Sequence, residues 1–323
     1  MQKPEQNPIA GIGWMLMTGL CFVAVNIIVK SVGTSLPAPE SAFLRFVAGL
    51  TLLSPVLVRL MHTHFTRKTW ALFGARGVFH TLAVMTWFYA MARIPLAEAT
   101  AMSYMSPVYV TLGAAMFLGE RLAARRLIAV AAALVGVAII LRPGFRDLSP
   151  GHYAQLFATL SFAASFLVAK RLSSEASPSV IIAFLAVSVT IGLAPFAYAV
   201  WVPPTLVQTA WLALVAVFAT AGHYCMARAF AVAPISVTQP VTFLQIVWAV
   251  LAGALLFDEP VDFWVLFGGA VIIGAVSFIA WRESVLKRRL AAHLAVPDRG
   301  PAPGPPGYLQ TEEEKAASGT TRN

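Results

Sequence analysis

Ten apolar runs, each about the length that a helix needs to cross a bilayer, occupy most of this chain. They fall at roughly 9–30, 40–60, 70–92, 97–118, 124–142, 152–170, 178–200, 207–231, 236–257 and 262–281. The connections are short and carry turn residues or charge, as in "SLPAPE", "HTHFTRK", "RPGFRDLSPG" and "SSEASPS". Backbone polar groups inside a bilayer find no water, so such runs fold as helices whose hydrogen bonds are internal. Charge agrees with this. Only 11% of the 323 residues are charged and 59% are hydrophobic, whereas roughly a quarter of a soluble protein is charged. There is too little charge to cover a water-facing globule. The expected fold is an all-α membrane protein of ten transmembrane helices. No small-residue cleavage site follows the first run, so it is expected to remain as a span rather than leave as a signal peptide.

Other classes are excluded by what the chain lacks. Cys21 and Cys225 both lie in apolar runs, so neither a disulfide scaffold nor a Cys-based zinc site is available. The six histidines show no HExxH spacing, and the absence of "GK" removes the phosphate-cradling loop of ATPases. No catalytic residue, metal or cofactor is expected. The formal net charge of +9 invites a nucleic-acid reading, but its distribution argues against one. With the N-terminus in the cytoplasm, the inner segments hold Lys3, Arg59, Arg67, Lys68, Arg121, Arg125, Arg126, Lys170, Arg171, Arg282, Lys287, Arg288 and Arg289. The outer segments hold only Lys30, Arg93, Arg142 and Arg146. This is a positive-inside bias. It places both termini in the cytoplasm and makes the bilayer, not nucleic acid, the expected partner.

The two halves of the chain match at a nearly constant offset. At 140, Leu20, Phe22, Ala24, Lys30 and Pro55 meet Leu160, Phe162, Ala164, Lys170 and Pro195. At 139, Ala90, Ala92 and Pro95 meet Ala229, Ala231 and Pro234, and Glu120 meets Glu259. The drift suits duplication with small indels. Each half holds five spans, an odd number, so the halves enter the membrane in opposite directions. Inverted repeats are the architecture of many secondary carriers, with a substrate site near the midplane between the halves. The expected divisions are a short cytoplasmic N-terminus at 1–8, a first five-helix repeat at 9–142, a second at 150–282, and a disordered cytoplasmic tail at 283–323. The tail is Pro/Gly-rich and then polar.

Four features carry a family resemblance. They are Arg45 in "ESAFLRFVAGL", the segment "AMARIPLAEATAMSYMSP", "FLGERL" followed by "ALVGVAIIL", and the second-half counterpart "ARAFAVAPISVTQPV" with "LLFDEP" and "VIIGAVSFI". On these the chain resembles the drug/metabolite transporter superfamily, in particular its ten-span EamA-type members, over residues 9–282. The resemblance implies transport of a small organic metabolite across the inner (plasma) membrane, without enzymatic turnover. A homodimer is left open. The halves depart from each other at one place: Ile246 stands where the first half has Pro107, so the bend of span nine is expected to differ from that of span four.

Several groups stand out as candidates for a substrate cavity. Cationic or titratable side chains within spans are Arg45, Arg76, His80, His223 and Arg228, and each needs a partner or a wet cavity. Arg228 lies close enough to a span end to snorkel, and Arg45 and Arg76 are open to either reading. Arg76, His80, Ala83 and Trp87 share one face of span three, a mixture poorly suited to lipid. Thr238, Thr242 and Gln245 share a face of span nine, and the 139 offset relates Thr242 and Gln245 to Ser103 and Ser106 on span four. Tyr104 and Trp248 are nearby aromatics. The alternative for these groups is hydrogen bonding between helices. The candidate cavity set is therefore Arg76, His80, Trp87, Ser103, Tyr104, Ser106, His223, Thr242, Gln245 and Trp248. Ala132 with Gly136, and Ala270 with Gly274, are read as small-residue pairs for close helix packing. Glu120 and Glu259 are read as helix caps or partners of a nearby arginine, against a coupling role. No carboxylate is evident in the middle of a span, so a neutral or positive cavity is expected. Such a cavity favours carboxylate-bearing or zwitterionic substrates.

The orientation is checked by reporter fusions after residues 65, 147 and 290, which should report inside, outside and inside. An outside signal at 290 would overturn the span count or the orientation.

Overall fold

A computed structural model of the chain describes residues 7–60, 65–118, 124–145, 147–233, 238 and 241–294. Among them there is no β-strand. The helices are α1 (Pro8–Val32), α2 (Ala38–Leu60), α3 (Arg67–Met91), α4 (Leu96–Ser103), α5 (Ser106–Leu118), α6 (Ala124–Leu141), α7 (Pro150–Leu172), α8 (Pro178–Ala199), α9 (Leu206–Val232), α10 (Leu244–Phe257) and α11 (Phe263–Leu294). Thr238, Val241 and Thr242 are helical as well. Counting α4 with α5 as one span, and the helical residues before Phe243 with α10 as another, gives the ten rods expected. The compact unit ends at Trp281, and α11 runs on to Leu294. The expectations for residues 1–6, for Glu120 and for the tail beyond 294 fall outside the described residues.

The spans are uneven. Helices α1, α7 and α9, with residues 180–199 of α8 and 263–282 of α11, are each long and apolar enough to cross a membrane alone. Apolar parts of α6 and α10 are shorter. Helices α2 and α3 carry Arg45, and Arg76 with His80, which lower their hydropathy. These are the helices that need neighbours to make them tolerable in lipid.

The neighbours follow the repeat. Helix α1 packs along α9 and α3 along α7; α2 meets α9 and α3 meets α8; α2 meets α8, and α4 meets α10. Exchanging each span for the one five places on turns α1–α9 into α7–α3 and α2–α9 into α8–α3. It turns α2–α8 and α4–α10 into themselves. A twofold axis between two five-span halves produces this pattern, and with an odd number of spans per half the repeats are inverted. At the centre lies α4, where Leu96, Ala99, Ala101, Met102 and the following Met105 are fully buried.

Span four, read as one run from 97 to 118, is two helices with a break between them. Helix α4 stops at Ser103, and Tyr104 and Met105 form a turn before α5. Here Tyr104 N–H bonds Ala101 C=O and Met105 N–H bonds Met102 C=O, the tighter spacing of a 3₁₀ turn. Pro107 explains the break, since its ring cannot donate and crowds the carbonyl four residues back. Span nine breaks at the equivalent Phe243, and there Ile246 N–H bonds Phe243 C=O. The loss of the proline therefore does not abolish the bend.

The close helix pairing also differs from expectation. Both small-residue pairs were expected to pack closely, but only Gly136 of α6 does, against Gly268 of α11, while Gly274 has no neighbour among the described residues. A Cβ at Gly136 would lie 2.7 Å from Ile272 Cγ1 and 2.8 Å from Gly268 C=O, whereas a Cβ at Gly274 would meet nothing within 4 Å. The 3.6-residue period places Gly268 and Ile272 on one face, and Gly274 lies off it.

Gly136→Val should therefore lower thermal stability by an overpacking cost of about 1–3 kcal/mol or more, because a backbone carbonyl cannot swing away. Gly274→Val should leave the melting temperature nearly unchanged. Melting of both variants in one detergent checks this, and equal losses would refute the Gly136–Gly268 crossing.

Candidate functional site

The titratable groups of the spans do converge. His80 of α3 lies with its Nδ1 3.2 Å from Ser165 Oγ of α7. Its ring meets Phe162 edge-on at 5.1 Å and Phe46 at 6.3 Å. The charges of Arg76, Arg45 and His223 all act on it. Arg45 of α2 is half-buried, with its guanidinium 4.1 Å over the Phe46 ring. His223 of α9 is exposed, with its ring edge-on to Phe22 at 5.2 Å. Four helices, α2, α3, α7 and α9, thus bring two arginines and two imidazoles together beside three phenylalanines. Among the described residues no carboxylate pairs with Arg45 or Arg76.

The two arginines are held differently. Arg76 is 7% exposed and donates from Nη1 to Ile181 C=O of α8 at 2.9 Å, and its Nε has no partner. It neither snorkels nor opens to a pore; it braces α3 against α8. Arg45 makes no hydrogen bond among the described residues. Arg228 is exposed over the Trp14 ring at 5.5 Å, in keeping with a snorkelling side chain.

A second polar group surrounds the broken spans. Tyr104 Oη donates toward Thr242 C=O at 3.3 Å and Phe243 C=O at 3.4 Å, and its ring lies edge-on to Phe243. Ser103 Oγ donates to Ala99 C=O and accepts from Gln155 Nε2 of α7 at 2.9 Å. Gln155 lies ten residues before Ser165, about 15 Å along the helix. The sequence-derived set is therefore split. His80, Arg76 and His223 fall in the basic group, and Ser103, Tyr104 and Thr242 around the breaks. Trp87, Ser106 and Gln245 are half-buried and Trp248 is 37% exposed; none of these four is hydrogen-bonded to the basic group among the described residues.

The sequence reading missed a third cluster, at the end of the bundle where α4 and α7 begin. Glu259 Oε1 pairs with Lys30 Nζ at 2.7 Å, and its Oε2 accepts Leu96 N–H, the first amide of α4, at 2.8 Å. Lys30 also donates to Ile94 C=O at 2.8 Å. Glu259 was expected to cap the next helix or meet an arginine; instead it caps a helix of the other half and meets a lysine. Nearby, Glu98 and His152 are buried and joined at 2.7 Å, and Arg142 pairs with Asp262. Glu98 drew no attention because it sits near a span end; only its burial marks it.

Comparison with known proteins follows the same division into two halves. The profile of the EamA-like transporter family matches residues 9–142 and again 149–281. The chain belongs to this family. The EamA-like protein is 29% identical to a riboflavin transporter of Vibrio cholerae serotype O1, over 88% of this chain and 97% of that one. It is 28% identical to an S-adenosylmethionine uptake transporter of Rickettsia bellii, over 84% of this chain and 94% of that one. A solved structure titled "Crystal structure of protein" shares the fold, with a TM-score of 0.52 and 19% identity over 84% of this chain and 96% of that one.

Removing one partner of a largely buried ion pair costs about 3–5 kcal/mol, and here both side chains are some 13–14% exposed. Glu259→Gln should destabilise the EamA-like protein by about 3 kcal/mol. Lys30→Met combined with Glu259→Gln should recover part of that loss, because no lone charge is left. A double-mutant cycle on melting temperatures measures the coupling, and strict additivity would rule the pair out.

Proposed function

We propose that the protein is a secondary carrier of the inner membrane, with both termini in the cytoplasm, that moves a carboxylate-bearing or zwitterionic metabolite by alternating access. The observation that carries this reading is Arg45. It is a cation within a span, near enough to His80 and His223 for its charge to act on both, with no anion paired to it among the described residues. An arginine keeps its charge in almost any surroundings, and a charge in lipid or a dry core is costly. The cost is offset when a substrate anion arrives. The planar fork suits a carboxylate through charge-assisted hydrogen bonds. Phe22, Phe46 and Phe162 offer apolar faces for a flat remainder of the substrate.

One of the relatives supports this class of cargo, since S-adenosylmethionine joins a purine to an amino-acid carboxylate; riboflavin shares with it the flat ring system but carries no carboxylate. The twofold arrangement supports the mechanism, since rocking one half against the other exposes a central site to each side in turn. Arg76, tied to Ile181 C=O, keeps α3 and α8 in register and is not assigned to the substrate.

Uptake into proteoliposomes is the test, with a panel of anionic, zwitterionic and cationic metabolites that includes riboflavin and S-adenosylmethionine. Losing a hydrogen bond to a charged group costs about 1.5–3 kcal/mol, roughly 10- to 100-fold in affinity. Arg45→Gln and His80→Asn should weaken uptake of the best substrate by that factor with little change in melting temperature. Arg76→Gln should instead lower the melting temperature. Normal uptake by both Arg45→Gln and His80→Asn, or a best substrate that is a permanent cation without an acidic group, would sink this reading.

A further inference from the structure

The ten spans alternate in direction, so the connections after spans one, three, five, seven and nine meet at one end of the bundle. The polar ties at this end share a property: each joins a residue of the first half to one of the second. Lys30 at the end of α1 pairs with Glu259, Arg142 after α6 pairs with Asp262, and Glu98 of α4 is joined to His152 of α7 at 2.7 Å. Glu40 of α2, fully buried, accepts Val202 N–H at 3.0 Å, and Gln208 of α9 donates to Ser35 Oγ at 3.2 Å. At the opposite end Asn7 N–H donates to Val232 C=O and Thr69 Oγ1 to Glu175 Oε2, bonds in which at most one partner is charged.

What an ion pair does between two moving bodies depends on where its charges go. Here the pairs are mostly covered. Lys30 and Glu259 are 14% and 13% exposed, and Arg142 and Asp262 26% and 25%. When the halves part at this end, water enters and both members of a pair are hydrated at once. The attraction within a pair and its desolvation nearly cancel, so this parting costs little. An apolar seam would instead have to be exposed to water. Ion pairs thus fix the register of the closed end without making it hard to leave. Glu259 Oε2 also accepts Leu96 N–H, and the other end of that helix is the break at Tyr104, so the seam is linked to the centre.

We propose that the Lys30–Glu259 and Arg142–Asp262 pairs form an ionic gate that shuts this end of the carrier, the outer end in the orientation proposed for it, and that they separate when the central site opens to that side. This rests on the alternating-access reading, because a gate has meaning only if the halves part.

Such a gate has a signature that ordinary packing lacks. Neutralising one member leaves its partner covered and alone in the closed state but hydrated in the open one. For pairs as exposed as these, that shifts the balance toward open by roughly 10- to 100-fold. Removing both charges leaves no lone charge, and closure returns.

The test uses the full chain in liposomes, with Cys21 and Cys225 replaced by alanine and spin labels attached through cysteines at exposed positions. Labels at Thr34 and Phe263 report on the gated end, and labels at Lys68 and Ser174 on the other. Dipolar spectroscopy should find the parent mainly at a short 34–263 distance. Glu259→Gln and, separately, Asp262→Asn should raise the long-distance population there roughly 10-fold or more, with 68–174 unchanged or shorter. Lys30→Met combined with Glu259→Gln should return the distribution toward the parent. Asp262→Asn keeps an acceptor for Trp264 N–H and serves if Glu259→Gln fails to fold. Unchanged 34–263 distances in both single variants overturn the proposal, as does a double variant that opens further than Glu259→Gln. Lengthening at both ends together also overturns it, because that is a loosened bundle and not a gate. No metabolite enters the measurement, so a failed uptake panel counts against the proposed cargo and leaves this outcome unaffected.

Discussion

The Lys30–Glu259 pair holds together what the membrane would otherwise forbid. A helix that begins inside a bundle leaves amides without partners, and water is not there to take them. Helix α4 begins this way at the end of the bundle, with Leu96 fully buried, and the carboxylate of Glu259 accepts its first amide. The same carboxylate is neutralised by Lys30, which in turn takes up Ile94 C=O from the turn before α4. One knot thus joins α1, the α3–α4 turn, the start of α4 and the end of α10. It crosses between the halves, so the placement of α4 depends on both. The Tyr104 break and the Gln155 contacts are built on that placement.

The fold was largely legible because its constraints are local in sequence. Span length and the offset of the repeat need no knowledge of neighbours. What was hidden required packing. The break in span four was readable from Pro107, but Ile246 suggested that span nine differs, and it bends at Phe243 all the same. Gly268 was missed because Gly274 aligned better with Gly136 across the repeat. Alignment tracks ancestry, whereas the crossing point depends on which face of α11 meets α6.

The polar centre was half legible. The stripe on span three identified His80 and Arg76 correctly as side chains turned inward, since a cation and an imidazole on one helical face have few places to go. Depth alone could not show that Arg76 is consumed by Ile181 C=O while Arg45 is not. The equivalence of Ser103 with Thr242 pointed to a shared polar layer. In the folded chain that layer lies about 15 Å along α7 from the imidazole at Ser165, because a helix separates residues that an offset argument treats as neighbours. Glu98 lay beyond reach for the opposite reason. In sequence it is one more acid near a loop, and only three dimensions put it against His152.

The two bends at the centre differ in what maintains them. In span four the elbow is written into the covalent chain, because Pro107 has no amide to complete a straight helix. In span nine Ile246 has that amide, and it bonds Phe243 C=O instead. That elbow is kept by its surroundings, with Tyr104 reaching across to the Thr242 and Phe243 carbonyls. One half of the molecule therefore carries a fixed joint and the other a sprung one. A duplication that began with two like arms thus holds one central bend through Pro107 and supports the other through contacts across the centre.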